Sequence, residues 1–372
     1  MRITEVRLRR LRYPLRPPFE PAWDPEPRRA FEATLVYVDT DEGLTGIGSG
    51  DTMDGFERYA DLFVGRDPLE IDRHVRVLET ISFHAARYWP FEAALWDLAG
   101  KAKGVPAATL LGGAADGVAS YASTADRRPA AARAESALAL RERGFRALKV
   151  RIDRQHVEEG LETVEATRDA IGASMEIMVD LNQGWRMPGD VSPLLGAEAV
   201  DGVAARLREA GVLWFEEPLA LKDVAGLARL RAQGGLRIAG GELARTTAEL
   251  DTCLAADALD VYQPDAVLAV GPLRASELAG SVLERGLWFT PHTWTNGIGL
   301  LANLQLAAGV GGGPFLEFPF DPPGWTPERR DFMLAEPVLP DRTGWLAVPE
   351  RPGLGFELDE EAVERYTVGE PR

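Results

Sequence analysis

EIMVDLNQGW at 176–185 is an apolar run that closes on Asp180, and two later stretches repeat the pattern: GVLWFEEP at 211–218 carries Glu216, and LRIAGGEL at 236–243 carries Glu242. Each run reads as a short buried strand with an acid at its C-terminal end. In a parallel barrel those ends converge on one face, so acids dozens of positions apart point into one small volume. Three ionised carboxylates there repel one another, and a divalent cation is the simplest remedy. An all-oxygen donor set favours a hard ion, Mg2+ before Mn2+.

Working outward, the chain from about residue 118 alternates short apolar runs with helix-length segments. Eight runs can be read: VASYAS, RALKVRI, EIMVDLN, VLWFEE, LRIAGGE, LDVYQPD, LWFTPH and PFLEF. That alternation predicts parallel βα units closing into a (β/α)8-type barrel over 118–320. Residues 1–117 have a different rhythm. Two strand-like segments, ITEVRLRRL and EATLVYVDTDEG, are joined by a Pro-rich loop, PLRPPFEPAWDPEP, and followed by a helix, PFEAALWDLAGKAKG, that stops at Gly104. This is an α+β domain. The stretch 321–372, entered through PFDPPGW, is rich in Pro and Gly and is expected to pack back on the first domain.

Composition narrows the function. The net charge of −17 argues against nucleic acid, whose phosphates need clustered Lys and Arg. Cys253 is the only cysteine, so no intramolecular disulfide can form, and it reads as a small buried hydrophobe. The N-terminus alternates polar and apolar residues like a strand rather than a signal peptide, and no run reaches the length of a membrane span. A cytoplasmic protein that binds neither membrane nor nucleic acid is expected.

The other strand ends add chemistry. Lys149 and Arg151 stand at i, i+2 on the second strand and therefore share a face. The third strand brings Asn182 beside Asp180; the sixth ends at Asp265, the seventh at His292, and the eighth carries Glu317. Taken singly, each acid reads as a turn residue or helix cap, the Lys-x-Arg pair as a solvated face, and the histidine as structural. Recurrence at one depth on consecutive strands outweighs those readings.

With these residues in place, the chain resembles the enolase superfamily and, within it, the mandelate racemase subgroup. The matching strings are KVR at 149–151, VDLNQGW at 179–185, FEEP at 215–218, GGE at 240–242, QPD at 263–265, PH at 291–292 and FLEF at 315–318. The resemblance implies a (β/α)7β barrel under an α+β cap completed by the C-terminal segment. It implies Mg2+ on Asp180, Glu216 and Glu242, an Asp265–His292 dyad, Glu317 as electrophilic acid, and a homo-oligomer. Two departures stand out: Val270-Gly271 where a glycine pair is common, and Arg151 where mandelate racemase has a second lysine.

Arg151 bears on the reaction. A proton next to a carboxylate is a weak acid, and its removal is assisted by a cation on one oxygen and a hydrogen-bond donor on the other, with Glu317 held neutral or Lys149 in that role. Histidine has an accessible neutral form near neutral pH, whereas arginine, with a reference pKa above about 12, does not. Racemisation needs acid–base groups on both faces, but elimination needs one. The expected activity is dehydration of a small hydroxy acid or acid sugar to a 2-keto acid, with Asn182 holding an α-hydroxyl. A racemase, epimerase or cycloisomerase that uses Lys149 is the competing enzyme class, and a non-catalytic carboxylate-binding protein is the competing class outside enzymes. Phe19, Trp23, Asp51, Met53 and Trp294 are the expected specificity residues at the barrel mouth, with loop packing as their alternative role.

Overall fold

The computed structural model describes residues 1–50 and 52–369. Strands β1 (Ile3–Phe19), β2 (Arg28–Thr40) and β3 (Thr45–Gly48) form an antiparallel sheet in that order. The β2–β3 turn closes through Thr40 N to Leu44 O (3.1 Å), with Gly43 at φ 77°, a conformation that favours glycine. Helices α1 (Ile71–His84) and α2 (Trp89–Lys103) pack with this sheet, and the short α3 (Ala107–Leu110) follows. Helix α2 ends at Gly104 (φ 68°) as the sequence predicts. One difference is that β1 runs on through Pro14 to Phe19, where a loop is expected. As the edge strand it needs no N–H from those prolines on its open side.

The second layer is a curled sheet. In chain order come β4 (Gly117–Ser123), α4 (Ala130–Glu142), β5 (Ala147–Arg151), α5 (Val157–Ile171), β6 (Glu176–Asp180), α6 (Ala197–Glu209) and β7 (Trp214–Glu216). Then follow α7 (Val224–Ala232), β8 (Arg237–Gly240), α8 (Thr247–Ala255), β9 (Val261–Tyr262), α9 (Pro272–Glu284), β10 (Trp288–Phe289), α10 (Gly297–Val310) and β11 (Leu316–Pro319). Their order is β10-β9-β8-β7-β6-β5-β4-β11, parallel throughout, the (β/α)7β arrangement. The end strands meet through Gly313 N to Phe289 O (2.6 Å) and Thr293 Oγ1 to Glu317 O (2.7 Å).

Strand periodicity builds the site. Tyr121, Ala147, Met178, Trp214, Ala239 and Val261 form one interior cluster. Two positions on, the same faces carry Ser123, Lys149, Asp180, Glu216 and Gln263, so a polar layer rests on an apolar plug. Intervening residues such as Leu148, Val179 and Phe215 join the core beneath the helices. The rhythm breaks after Ala239, where Gly241 takes φ 99° and Glu242 points inward instead.

The C-terminal stretch contains α11 (Pro327–Arg330), β12 (Trp345–Ala347) and α12 (Glu360–Tyr366). It divides its contacts between the two layers: β12 pairs antiparallel with β4, while Val368 N donates to Arg10 O (2.9 Å) on β1. Asp97 on α2 accepts from Ile47 N and Leu354 N, both at 2.8 Å, tying the cap sheet to this stretch. Glu92, on the same helix, accepts from Leu273 N (2.6 Å) in the first turn of α9 and so joins the cap to the barrel. No helix among the described residues is long and apolar enough to cross a membrane.

Burial pushes the Glu92 carboxyl up to about 8, and its Oε2 has no hydrogen-bond partner among the described residues. A carboxyl raised in the folded state stabilises fully below its ordinary value near 4.5, and that contribution is lost as pH rises through about 8. Glu92→Gln keeps an acceptor for Leu273 without the charge. Thermal unfolding between pH 5 and pH 9 is therefore expected to show a wild-type decline that the variant lacks, by about 2 °C or more. Parallel pH profiles would refute this role.

Candidate active site

The polar layer is almost sealed. Asp180, Glu216, Asp265, Lys149 and Glu317 are fully buried, and Glu242, His292 and Arg151 nearly so. One oxygen from each of Asp180, Glu216 and Glu242 lies within 4.8 Å of the others. They come from adjacent strands, Asp180 standing level with Glu216 across the β6–β7 ladder. The acid on β8 arrives by the Gly241 turn.

Two cations answer this charge on one flank. Lys149 Nζ lies 2.5 Å from Glu216 Oε1, 2.8 Å from Glu317 Oε1 and 3.4 Å from Asp180 Oδ2. Arg151 pairs with Asp180, donates to Asn182 Oδ1 (2.8 Å) and Thr124 O (3.0 Å), and lies over the rings of Trp23 (4.1 Å) and Trp294 (5.4 Å). Burial alone would lower both, but Glu216 and Glu317 around Lys149, and Asp180 and Glu317 around Arg151, outweigh it and hold each above its ordinary value. In this arrangement of side chains both are cations.

His292 stands on the other flank. Its Nδ1 is 2.9 Å from Asp265 Oδ2, while Nε2 faces Glu242 and Glu317 at 3.7 and 3.9 Å. Asp265 Oδ1 is fixed by Val267 N (2.8 Å), Leu268 N (3.2 Å) and Asn303 Nδ2 (3.1 Å). Burial lowers the imidazole, but Glu242, Glu317 and Asp265 prevail and raise it to about 9. Drawing charge off Glu242 would return it toward its ordinary range.

Glu317 sits among donors: Oε1 accepts from Ser123 Oγ (2.6 Å) and faces Lys149, and Oε2 accepts from Thr293 N (3.0 Å). Burial raises it, but Lys149, His292 and Arg151 hold it well below the usual carboxylate range. In this arrangement the Glu317 carboxylate pairs with the Lys149 ammonium.

The expected specificity residues separate. Trp23 and Trp294 meet edge to face at 4.8 Å beside Arg151. Phe19, 1% exposed, packs behind them with Trp325 at 4.8 Å. Met53 is fully buried in the cap's own core cluster with Phe56, Phe63 and Phe91 rather than exposed on a loop. Asp51 lies outside the described residues. Asn182, at φ 47°, is bound to Asp180 and Arg151.

Several supporting side chains escaped the sequence reading. Gln263 donates to Glu216 Oε2 (3.0 Å), Trp185 Nε1 to Glu242, and Ser123 bridges Glu317 and Trp294. Gln263 was legible at i−2 from Asp265. Asn303 was not, because α10 is buried on every side and no stripe marks its inner face.

The donor set fits a divalent metal ion. Three carboxylate oxygens converge, and Glu242 Oε2 is buried without a hydrogen-bond partner among the described residues, as an atom reserved for a cation would be.

Comparison with known proteins agrees. Residues 3–112 match the family described as Mandelate racemase / muconate lactonizing enzyme, N-terminal domain, and residues 131–362 match Enolase C-terminal domain-like. The chain is 30% identical over its whole length to D-galactarolactone cycloisomerase of Agrobacterium fabrum, which it also covers fully. It is 26% identical to L-talarate/galactarate dehydratase of Salmonella typhimurium LT2, with TM-score 0.84 and coverage of 99% of this chain and 92% of the other. A variant of L-talarate/galactarate dehydratase is known liganded with Mg and L-glucarate. A racemase from Streptomyces coelicolor A3(2) with bound magnesium is 25% identical, with TM-score 0.83 and coverage of 98% and 100%.

Glu242→Gln keeps the acceptor for Trp185 while removing one anionic ligand. Mn2+ or Mg2+ affinity measured by calorimetry is expected to fall by about 100-fold or more, with metal-free thermal stability unchanged or raised. Unaltered affinity would remove Glu242 from the ligand set.

Proposed function

The chain belongs to the enolase superfamily, in its mandelate racemase/muconate lactonizing enzyme subgroup, and from that premise we propose that it is a dehydratase of small hydroxy acids, in the acid-sugar class, acting with Mg2+. Asp180, Glu216 and Glu242 hold the ion, which when bound supplies Lewis-acid polarisation of a substrate carboxylate oxygen.

The observation that supports elimination over racemisation is the one-sided base. His292 is the side chain of the polar layer whose ring is oriented by a carboxylate hydrogen bond with its other nitrogen directed into the site, whereas Lys149 and Arg151 are paired directly with the triad carboxylates. Asp265 accepts the Nδ1 proton and leaves the Nε2 lone pair free to take the proton α to the carboxylate. Lys149 donates toward the negative charge that develops on the carboxylate oxygens. The imidazolium, stabilised by Asp265, returns its proton to the departing β-hydroxyl. The C–H and C–O bonds break, water leaves, and the enol tautomerises to a 2-keto acid.

A second reading is favoured by the full-length cycloisomerase relative. The same base can remove the same proton when the β leaving group is the ring oxygen of a lactone, which departs as a carboxylate without release of water.

A panel of aldonic acids, aldaric acids and their lactones, assayed with Mg2+, is expected to yield 2-keto acids; keto acid from lactones alone would select the second reading. α-Deuteration in D2O with the hydroxyl retained would replace elimination by epimerisation. His292→Asn is expected to lower turnover by about 1000-fold or more while Mg2+ affinity stays within about twofold. Retained turnover would remove His292 as the base.

A further inference from the structure

A cavity of about 670 Å3 opens beside the metal-ligand strands, between the loops after β6, β7 and β8 and the cap. Its lining carries Arg87, Arg186, Lys222 and Arg245 against Glu217 and Glu249. Arg186, Lys222 and Arg245 are exposed, and none has a carboxylate within 4.0 Å among the described residues. Arg87 reaches from the cap to Leu243 O (3.2 Å) and Ala244 O (3.1 Å), holding the roof to the barrel. Glu217 is buried, and Glu249 already accepts from Arg245 N at 2.6 Å.

The contrast with the cavity across the mouth is informative. At about 660 Å3 it is nearly as large, but Glu20, Asp24, Asp126, Asp153 and Asp190 line it. Its two arginines are taken, Arg127 by Asp153 and Arg154 by Asp190. Uncommitted positive charge therefore collects on one side of the mouth of a chain whose net charge is −17. Such a chain repels anions at long range, and a local basic basin counters that repulsion where it matters. The basin also touches the triad: Trp185 lines the cavity and donates to Glu242, and Gly241 in its wall precedes that ligand.

We propose that this cavity is an anion-recruiting vestibule that captures small carboxylates before they reach the triad, dianions in preference to monoanions. Its role as an antechamber rests on the function proposed above, but its affinity for carboxylates does not. Three positive charges attract two negative ones more strongly than one, and screening by salt weakens the effect.

Calorimetry on the full chain, stripped of metal with chelator that is then removed by dialysis, tests the affinity directly. Glutarate is expected to bind at least fivefold more tightly than butyrate at low salt, and both heats are expected to vanish in R186A/K222A/R245A. Equal binding by the variant would overturn the proposal, as would equal affinity for the two probes. Inorganic phosphate binding more tightly than glutarate would overturn the carboxylate assignment. If a hydroxy-acid substrate turns over, the triple variant should lose at least tenfold in kcat/KM through KM, and its kcat/KM should no longer fall steeply between 20 and 200 mM NaCl. An unchanged kcat/KM would overturn the antechamber role, whereas absence of turnover on the whole panel bears on the proposed reaction and leaves the calorimetric test standing.

Discussion

Electrostatic repulsion within the Asp180, Glu216 and Glu242 triad is the constraint around which this protein is arranged. At an effective dielectric of about 20, two charges 4.8 Å apart repel by about 3.5 kcal/mol, so three such pairs cost about 10 kcal/mol. That equals the whole net stability of an ordinary domain. The cluster persists only with compensation, and Lys149 and Arg151 supply it from β5. Glu242 is the member they leave least compensated, and its free oxygen marks where a cation belongs.

Compensation also divides the chemistry. A lysine or arginine paired with buried carboxylates holds its proton more tightly, because each neighbour that stabilises its charge opposes its loss. The flank holding Lys149 and Arg151 is electrostatic. The flank holding His292 and Asp265 is the one to which the proposed reaction assigns proton transfer. Trp23 adds a link to the cap, since its ring covers the Arg151 guanidinium and brings the N-terminal loop against the charged layer.

Much of this was legible in the sequence because strand periodicity and strand-end acids are local signals. The triad, Lys149, Arg151 and the Asp265–His292 pair all stand at the ends of apolar runs, and the eight runs correspond to β4 through β11. What was hidden depends on partners distant in sequence. The surroundings of Glu317 are set by Ser123, 194 positions away, and by Lys149, also distant in the chain. Met53 looked like a mouth residue by proximity to a loop, and only the packing of Phe56 and Phe63 shows it facing the cap core. The prolines of β1 read as a loop because edge position cannot be seen in a single strand.

The account makes the site one-based and one-faced, so the most direct test is stereochemical. Both α-epimers of a hydroxy acid that the enzyme accepts would be incubated separately in D2O with Mg2+, and α-proton loss followed by NMR. The account predicts exchange or elimination from one epimer only, abolished in His292→Asn. Exchange from both epimers, or interconversion between them, would show a second base on the Lys149 flank and contradict it.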